Sequence, residues 1–218
     1  MAQITVHINH PKVSNPVIRF LAHFFSVVFH PLCLASYVLA FLLFVHPFAF
    51  SGMEMLIKKQ RFITVFFSTF FLPLFSIFIA QRLRLIRSLY LHTTRDRIIP
   101  YVMVMVFYFW AWYVFKNLDS SSVATRFLLG TFLAICAAWM CNIYYKISMH
   151  AVGVGGLFMF FLLFSFSDPY GSGLYLSLAT LITGIVCTSR FIVSDHSAFD
   201  IYTGLFAGTL MQWVAWQF

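Results

Sequence analysis

An all-α bundle of six or seven membrane-spanning helices is the fold this sequence predicts, for three reasons. Of its 218 residues, 61% are hydrophobic and only 9% charged, where ordinary globular domains carry about a quarter charged residues. Mean hydropathy is +0.89, and 29 residues are phenylalanine. The apolar residues come in continuous runs long enough for helical spans, whereas a β-barrel would show ~10-residue segments alternating apolar and polar. These features exclude a soluble enzyme, a disordered chain and a nucleic-acid binder. The net charge of +8 does not revive the last of these, because the basic residues fill short gaps between apolar runs. That placement suits lipid headgroups or a phosphorylated lipid better than a duplex groove.

The first apolar stretch, Pro16 to Phe50, exceeds the roughly 20 residues one crossing needs. His30-Pro31 inside it predicts a kink, or a break between an interfacial helix and a span. Further spans are expected over Phe62 to Ala80, from Pro100 to Lys116, Ser122 to Tyr145, Ala151 to Ser167, Leu174 to Thr188 and Phe199 to Phe218. The turn Asp168-Pro169-Tyr170-Gly171 closes the fifth. One integral membrane domain fills residues 1–218, with no room for a soluble one. No cleavage pattern marks a signal peptide before Pro16, so the first span is expected to stay in the mature chain. Cys33, Cys136, Cys141 and Cys187 lie in apolar segments without metal or redox spacing and read as small hydrophobes.

Counting crossings gathers the charge. Two spans separate Arg95–Pro100 from Lys146–His150, and two more separate that segment from Ser189–Asp200. All three segments therefore share one side. Ionisable groups near membrane depth are costly and face a bundle interior or polar cavity, so the three clusters predict one site. His196 and Asp200 are four apart and stack on one helical face. Asp200 is expected to accept the imidazole Nδ1–H, leaving Nε2 free as nucleophile or base. Arg190 offers a fork for phosphoryl oxygens. Lys146, Ser148 and His150 add a cation, a hydroxyl and a second histidine, while Arg95 and Arg97 add positive charge. Two histidines beside a phosphate suggest that one attacks phosphorus and the other protonates the departing oxygen. With six acidic residues in the chain, no carboxylate-rich set for a hard metal is expected. The chemistry favoured is phosphoryl transfer through a phosphohistidine, without metal or other cofactor.

These residues resemble the membrane branch of the type 2 phosphatidic acid phosphatases, related in fold to vanadium haloperoxidases. That family carries K-x6-R-P, then P-S-G-H, then S-R-x5-H-x3-D. Ser189, Arg190, His196 and Asp200 match the third motif in full. Ser148 and His150 match the second, where Ile147 and Met149 replace Pro and Gly. The first is degenerate: Arg97 stands three residues before Pro100, and no lysine has the family spacing. The resemblance covers about Thr94 to Gly204. It implies His196 as nucleophile, Asp200 as its orienting partner and His150 as general acid. Arg190, Ser148, Ser189 and Arg97 would cradle the phosphate. Lys146 and Arg95 are added from charge and position alone.

A site at the membrane face among Phe-rich helices selects a phosphate or diphosphate on a hydrocarbon tail. The expected partners are that phosphorylated lipid and the surrounding membrane lipids, with no nucleic acid. Expected localisation is the inner (cell) membrane of a bacterium. Nine Lys and Arg lie on the motif side and five opposite, which taken naively puts the site inside. Removing Arg95, Arg97, Lys146 and Arg190 as phosphate ligands levels the count, and the resemblance tips the expectation to the periplasmic side. The competing class is a transporter or non-catalytic protein holding an anion in a cationic cavity, although no internal repeat links the two halves. Gly204-Leu-Phe-Ala-Gly208 is a G-x-x-x-G packing signal that fits helix contact within one chain as well as an oligomer.

Overall fold

Prolines set where the first helices begin. Asn15 caps α1 (Pro16–Val28), its side chain accepting the Val17 amide at 2.9 Å, with Pro16 in the first turn. His30 caps α2 (Pro31–Val45) in the extended conformation a following proline demands. Between them the chain bends by 61°. The computed structural model describes residues 15–86, 96–118, 121–168, 173–193 and 196–218. Within these follow α3 (Met55–Arg82), α4 (Ile98–Asn117), α5 (Ser122–Asn142), α6 (Met149–Ser167), α7 (Gly173–Val193) and α8 (Ala198–Trp216). The described residues form helices joined by turns, with no strand among them.

By length and composition α3 to α7 can each cross a membrane, and α1 with α2 would make a sixth span if the bent pair is one. Outward faces are apolar, as lipid contact requires. Phe67, Phe71, Leu74, Phe75 and Phe78 form such a stripe on α3, and Phe199, Tyr202, Phe206 and Trp213 another on α8. The chain is an integral membrane protein. Its α3 survives Pro73 because residues Phe67–Phe71 widen into a π-turn, which relieves the ladder where the proline ring would collide with it. Helix α7 runs past Thr188, so Arg190 lies in its last turn instead of beyond the span.

The expected last span differs in character. Helix α8 has the right length but is less hydropathic than α3 to α7. Asp200, Thr203, Thr209 and Gln212 lower its hydropathy. It tolerates them because it is packed between α5 and α6. Gln212, wholly buried, donates to the Arg126 carbonyl of α5 at 3.3 Å, and Thr209 donates to the Gly155 carbonyl of α6 at 3.3 Å.

Helices α6 and α8 run parallel, pairing Ser148 with Gly204 and Gly156 with Gly208. A Cβ on Gly204 would sit 2.8 Å from the Ser148 carbonyl oxygen, and one on Gly208 would strike the Val152 carbonyl. The G-x-x-x-G pattern therefore serves contact within the chain. Since backbone cannot yield as a side chain can, Gly208→Ala is expected to cost about 1–3 kcal/mol. Thermal unfolding of the detergent-solubilised variant measures it; an unchanged midpoint would contradict the close approach.

Helix α2 runs alongside α6. His30, at the start of α2, meets His150 at the start of α6. At the far ends, His46 Nε2 lies 3.4 Å from Asp168 Oδ2, with both side chains buried. His46 Nδ1 accepts the Ala49 amide at 3.0 Å, so the proton sits on Nε2 and points at the carboxylate. This pair ties the far ends of α2 and α6 together. Helix α1, 13 residues long, reaches only about 20 Å and cannot cross a ~30 Å hydrocarbon core alone. The first apolar stretch is thus a bent pair, with α2 alongside α6 and the short α1 packed against α7.

Candidate functional site

The residues between α5 and α6 form the floor on which the three clusters meet. His196 Nδ1 lies 3.1 Å from the Lys146 carbonyl oxygen. Arg97 Nη1 donates to the Ile147 carbonyl at 2.9 Å. The Ser148 amide donates to the Asp200 carbonyl at 3.2 Å. Three consecutive residues are thereby clamped by the entry to α4 and by the α7–α8 connection with the first turn of α8. The convergence expected from counting crossings is present in the fold.

The orientation of His196 differs from expectation. A carbonyl oxygen can only accept, so the 3.1 Å contact with Lys146 places the proton on Nδ1. Asp200 Oδ2 stands 3.7 Å from that nitrogen, beyond hydrogen-bond range. Its carboxylate is engaged locally instead: Oδ2 accepts the Ser197 amide at 2.8 Å, and Ser197 Oγ accepts the Asp200 amide at 3.2 Å. That is a capping box at the start of α8. The consequence for the imidazole is the expected one, reached through another acceptor: Nε2 carries the lone pair. Asp200 contributes its charge from 3.7 Å and holds the turn that aims His196.

His196 is buried, and burial is the first cause that brings its pKa down to about 3; the charges of Arg97, Arg190 and Lys146 add to it. The ring is neutral at every physiological pH, as a nucleophilic imidazole must be. Burial also lowers the pKa of Arg97, opposed by Tyr101 and Asp200 nearby, yet a guanidinium remains charged.

Ser148 is the N-cap residue of α6, but its side chain caps nothing. It is completely buried, and its hydroxyl has no hydrogen-bond partner among the described residues. His150, in the first turn of α6, has Nε2 3.1 Å from the Ser26 carbonyl oxygen, so its proton sits there and Nδ1 is the exchangeable nitrogen. The guanidinium of Arg190 acts electrostatically on His30, His150 and His196 alike. Ser189 is buried on α7 and donates its hydroxyl to the Ile185 carbonyl at 2.8 Å. Its proton is therefore spent within its own helix, and only its oxygen lone pairs remain for any ligand. Arg95 and Asp195 lie outside the described residues.

Sequence reasoning missed His30 and Ser26. The His30 and His150 rings stand at 86° with centroids 5.2 Å apart. The dipeptide His30-Pro31 reads as a kink, and nothing in its neighbours points to a residue 120 positions later. The signal available was only that a histidine breaks an apolar run at a predicted helix start. No family model, curated protein or solved structure matches this chain.

Proposed function

We propose that this protein is a metal-independent lipid phosphatase, hydrolysing a lipid phosphate or diphosphate through a phosphohistidine at the membrane face. One observation carries the reading: a buried, neutral His196 with its proton held by Lys146 O, set among Arg97, Arg190 and Lys146. A neutral imidazole among cations is poised for an anionic electrophile. The buried Ser148 hydroxyl and the positive end of α6 supply further anion stabilisation. In this reading charge neutralisation falls to arginine and lysine.

In the first step the His196 Nε2 lone pair forms a bond to phosphorus and the P–O bond to the lipid breaks. A substrate phosphate entering as its monoanion gives its proton to His150 Nδ1; the departing oxygen takes that proton and leaves as an alcohol or, from a diphosphate, as a phosphomonoester. Water then attacks the phosphoimidazole, giving its proton to His150, and inorganic phosphate leaves as Nε2 regains its lone pair. The Lys146 carbonyl and the Asp200 carboxylate offset the positive charge on the phosphorylated ring. This reading agrees with the resemblance to the type 2 phosphatidic acid phosphatases and sets the site on the periplasmic face of a bacterial inner membrane. The test is phosphate release from a panel of lipid phosphates and diphosphates in detergent with a chelator present. Release is expected. Tight binding of those lipids without release, or release that needs added Mg²⁺, would overturn the proposal.

A further inference from the structure

Among the described residues, a hydrogen bond and a ring contact hold the His150 imidazole, and both come from the elbow between α1 and α2. Ser26, near the end of α1, supplies the carbonyl that accepts from Nε2 at 3.1 Å. His30, which caps α2, supplies an imidazole perpendicular to the His150 ring at 5.2 Å. His30 is itself fixed: its Nδ1 accepts the Leu32 amide at 3.3 Å, and its backbone is held extended by Pro31. A histidine is not what capping α2 requires, since Asn, Asp or Ser serve better. Placing a third imidazole within the field of Arg190 has no evident structural return.

We propose that His30 is a positioning residue for His150, holding its ring so that Nδ1, not Nε2, faces the phosphate site. The assignment rests on the phosphatase reading above. A half-turn of the His150 ring about its Cβ–Cγ bond would put Nδ1 where Cδ2 now lies and Nε2 where Cε1 lies, turning Nδ1 from the site and breaking the bond to Ser26. The edge-to-face contact with His30 blocks that rotation. The elbow thus makes α1, outside all three family-like motifs, part of the catalytic apparatus. His196 is oriented separately through Lys146. In kcat/KM, which covers steps only up to departure of the leaving group, the action of His30 is confined to proton donation by His150.

This confinement gives a readout that a purely structural residue would not move. A lipid alkoxide cannot depart without a proton, whereas a nitrophenolate can. His30→Asn keeps the helix cap and removes the ring. On phosphatidate it is expected to lower kcat/KM about 10- to 100-fold, part of the range general acid catalysis supplies. On a nitrophenyl phosphate carrying a long alkyl chain it should lose less than about threefold, because protonation of a good leaving group contributes little. His150→Asn should show the same split, and the double variant should be no slower than His150→Asn alone, as expected for residues acting as a unit. Equal losses on both substrates, or additive losses in the double variant, would overturn the assignment of His30. Full activity of His30→Asn on phosphatidate would do the same. A wild-type chain that hydrolyses neither substrate would overturn the phosphatase reading itself, and the assignment with it.

Discussion

His196→Ala is expected to reduce phosphate release at least about 10⁴-fold while leaving the helical bundle folded, because removing a covalent nucleophile removes both chemical steps together. Structural loss should be small. Among the described residues His196 makes one hydrogen bond, to a backbone carbonyl in a connection between helices, and the capping box of Ser197 and Asp200 does not use it. Circular dichroism and the thermal midpoint should therefore stay near wild type. The same residue fixes an expectation for pH. With its pKa brought down to about 3 by burial and by Arg97, Arg190 and Lys146, the unliganded ring stays deprotonated as pH falls from 7 toward 5. Any acid limb in kcat/KM across about pH 5 to 8 then belongs to the substrate phosphate or to another group. A wild-type limb in this range assigned to His196 by its imidazole NMR signals would contradict its buried, cation-flanked setting.

Arg190→Ala is expected to lower kcat/KM about 10²- to 10³-fold, the cost of removing one preorganised charge from a site where phosphoryl oxygens gain negative charge. Arg190→Lys should recover only part of that loss, because an ammonium cannot present the planar pair of donors that suits two phosphoryl oxygens. The effect should be much larger than for loss of Lys146, whose ammonium is a point charge on a flexible stem and cannot grip two phosphoryl oxygens in a fixed fork. Arg190 stands at the end of α7, where its charge acts on His30, His150 and His196 together. Its removal should therefore also change the titration of each ring, which imidazole NMR signals can follow. Steady-state kinetics on the two variants checks the ranking; activity of Arg190→Ala within about threefold of wild type would contradict it.

Which parts of this arrangement were legible in the sequence follows from the range of the interactions. Helix length and apolar continuity depend on residues near in sequence, so α4, α5 and α6 lie close to where hydropathy puts them. Counting crossings needs only those helices, and it brings Arg97, Lys146 and His196 to one face without knowledge of any contact. The partner of His196 was harder. A spacing of four does bring Asp200 within 3.7 Å, but Ser197-Ala-Phe-Asp200 also spells a capping box, and the shorter-range bond takes the carboxylate. The acceptor that replaces it is a backbone carbonyl, which every residue possesses, so no side-chain pattern marks Lys146 for that role. His30 and Ser26 were out of reach for a further reason. Their link to His150 spans more than a hundred residues and depends on a 61° bend whose direction the His-Pro dipeptide does not state. Helix α8 shows the converse case: its polar residues weaken the membrane signal because neighbouring helices shield them from lipid.

The central claim is that His196 Nε2 forms a covalent bond to phosphorus. Rapid quenching of the protein with a lipid phosphate radiolabelled at phosphorus tests it most directly. The account predicts label bound to the chain at up to one equivalent, stable in base and lost in acid as a phosphohistidine is, located at His196 and absent from His196→Ala. Phosphate release by His196→Ala at the wild-type rate, with no label trapped on the wild-type chain, would contradict it.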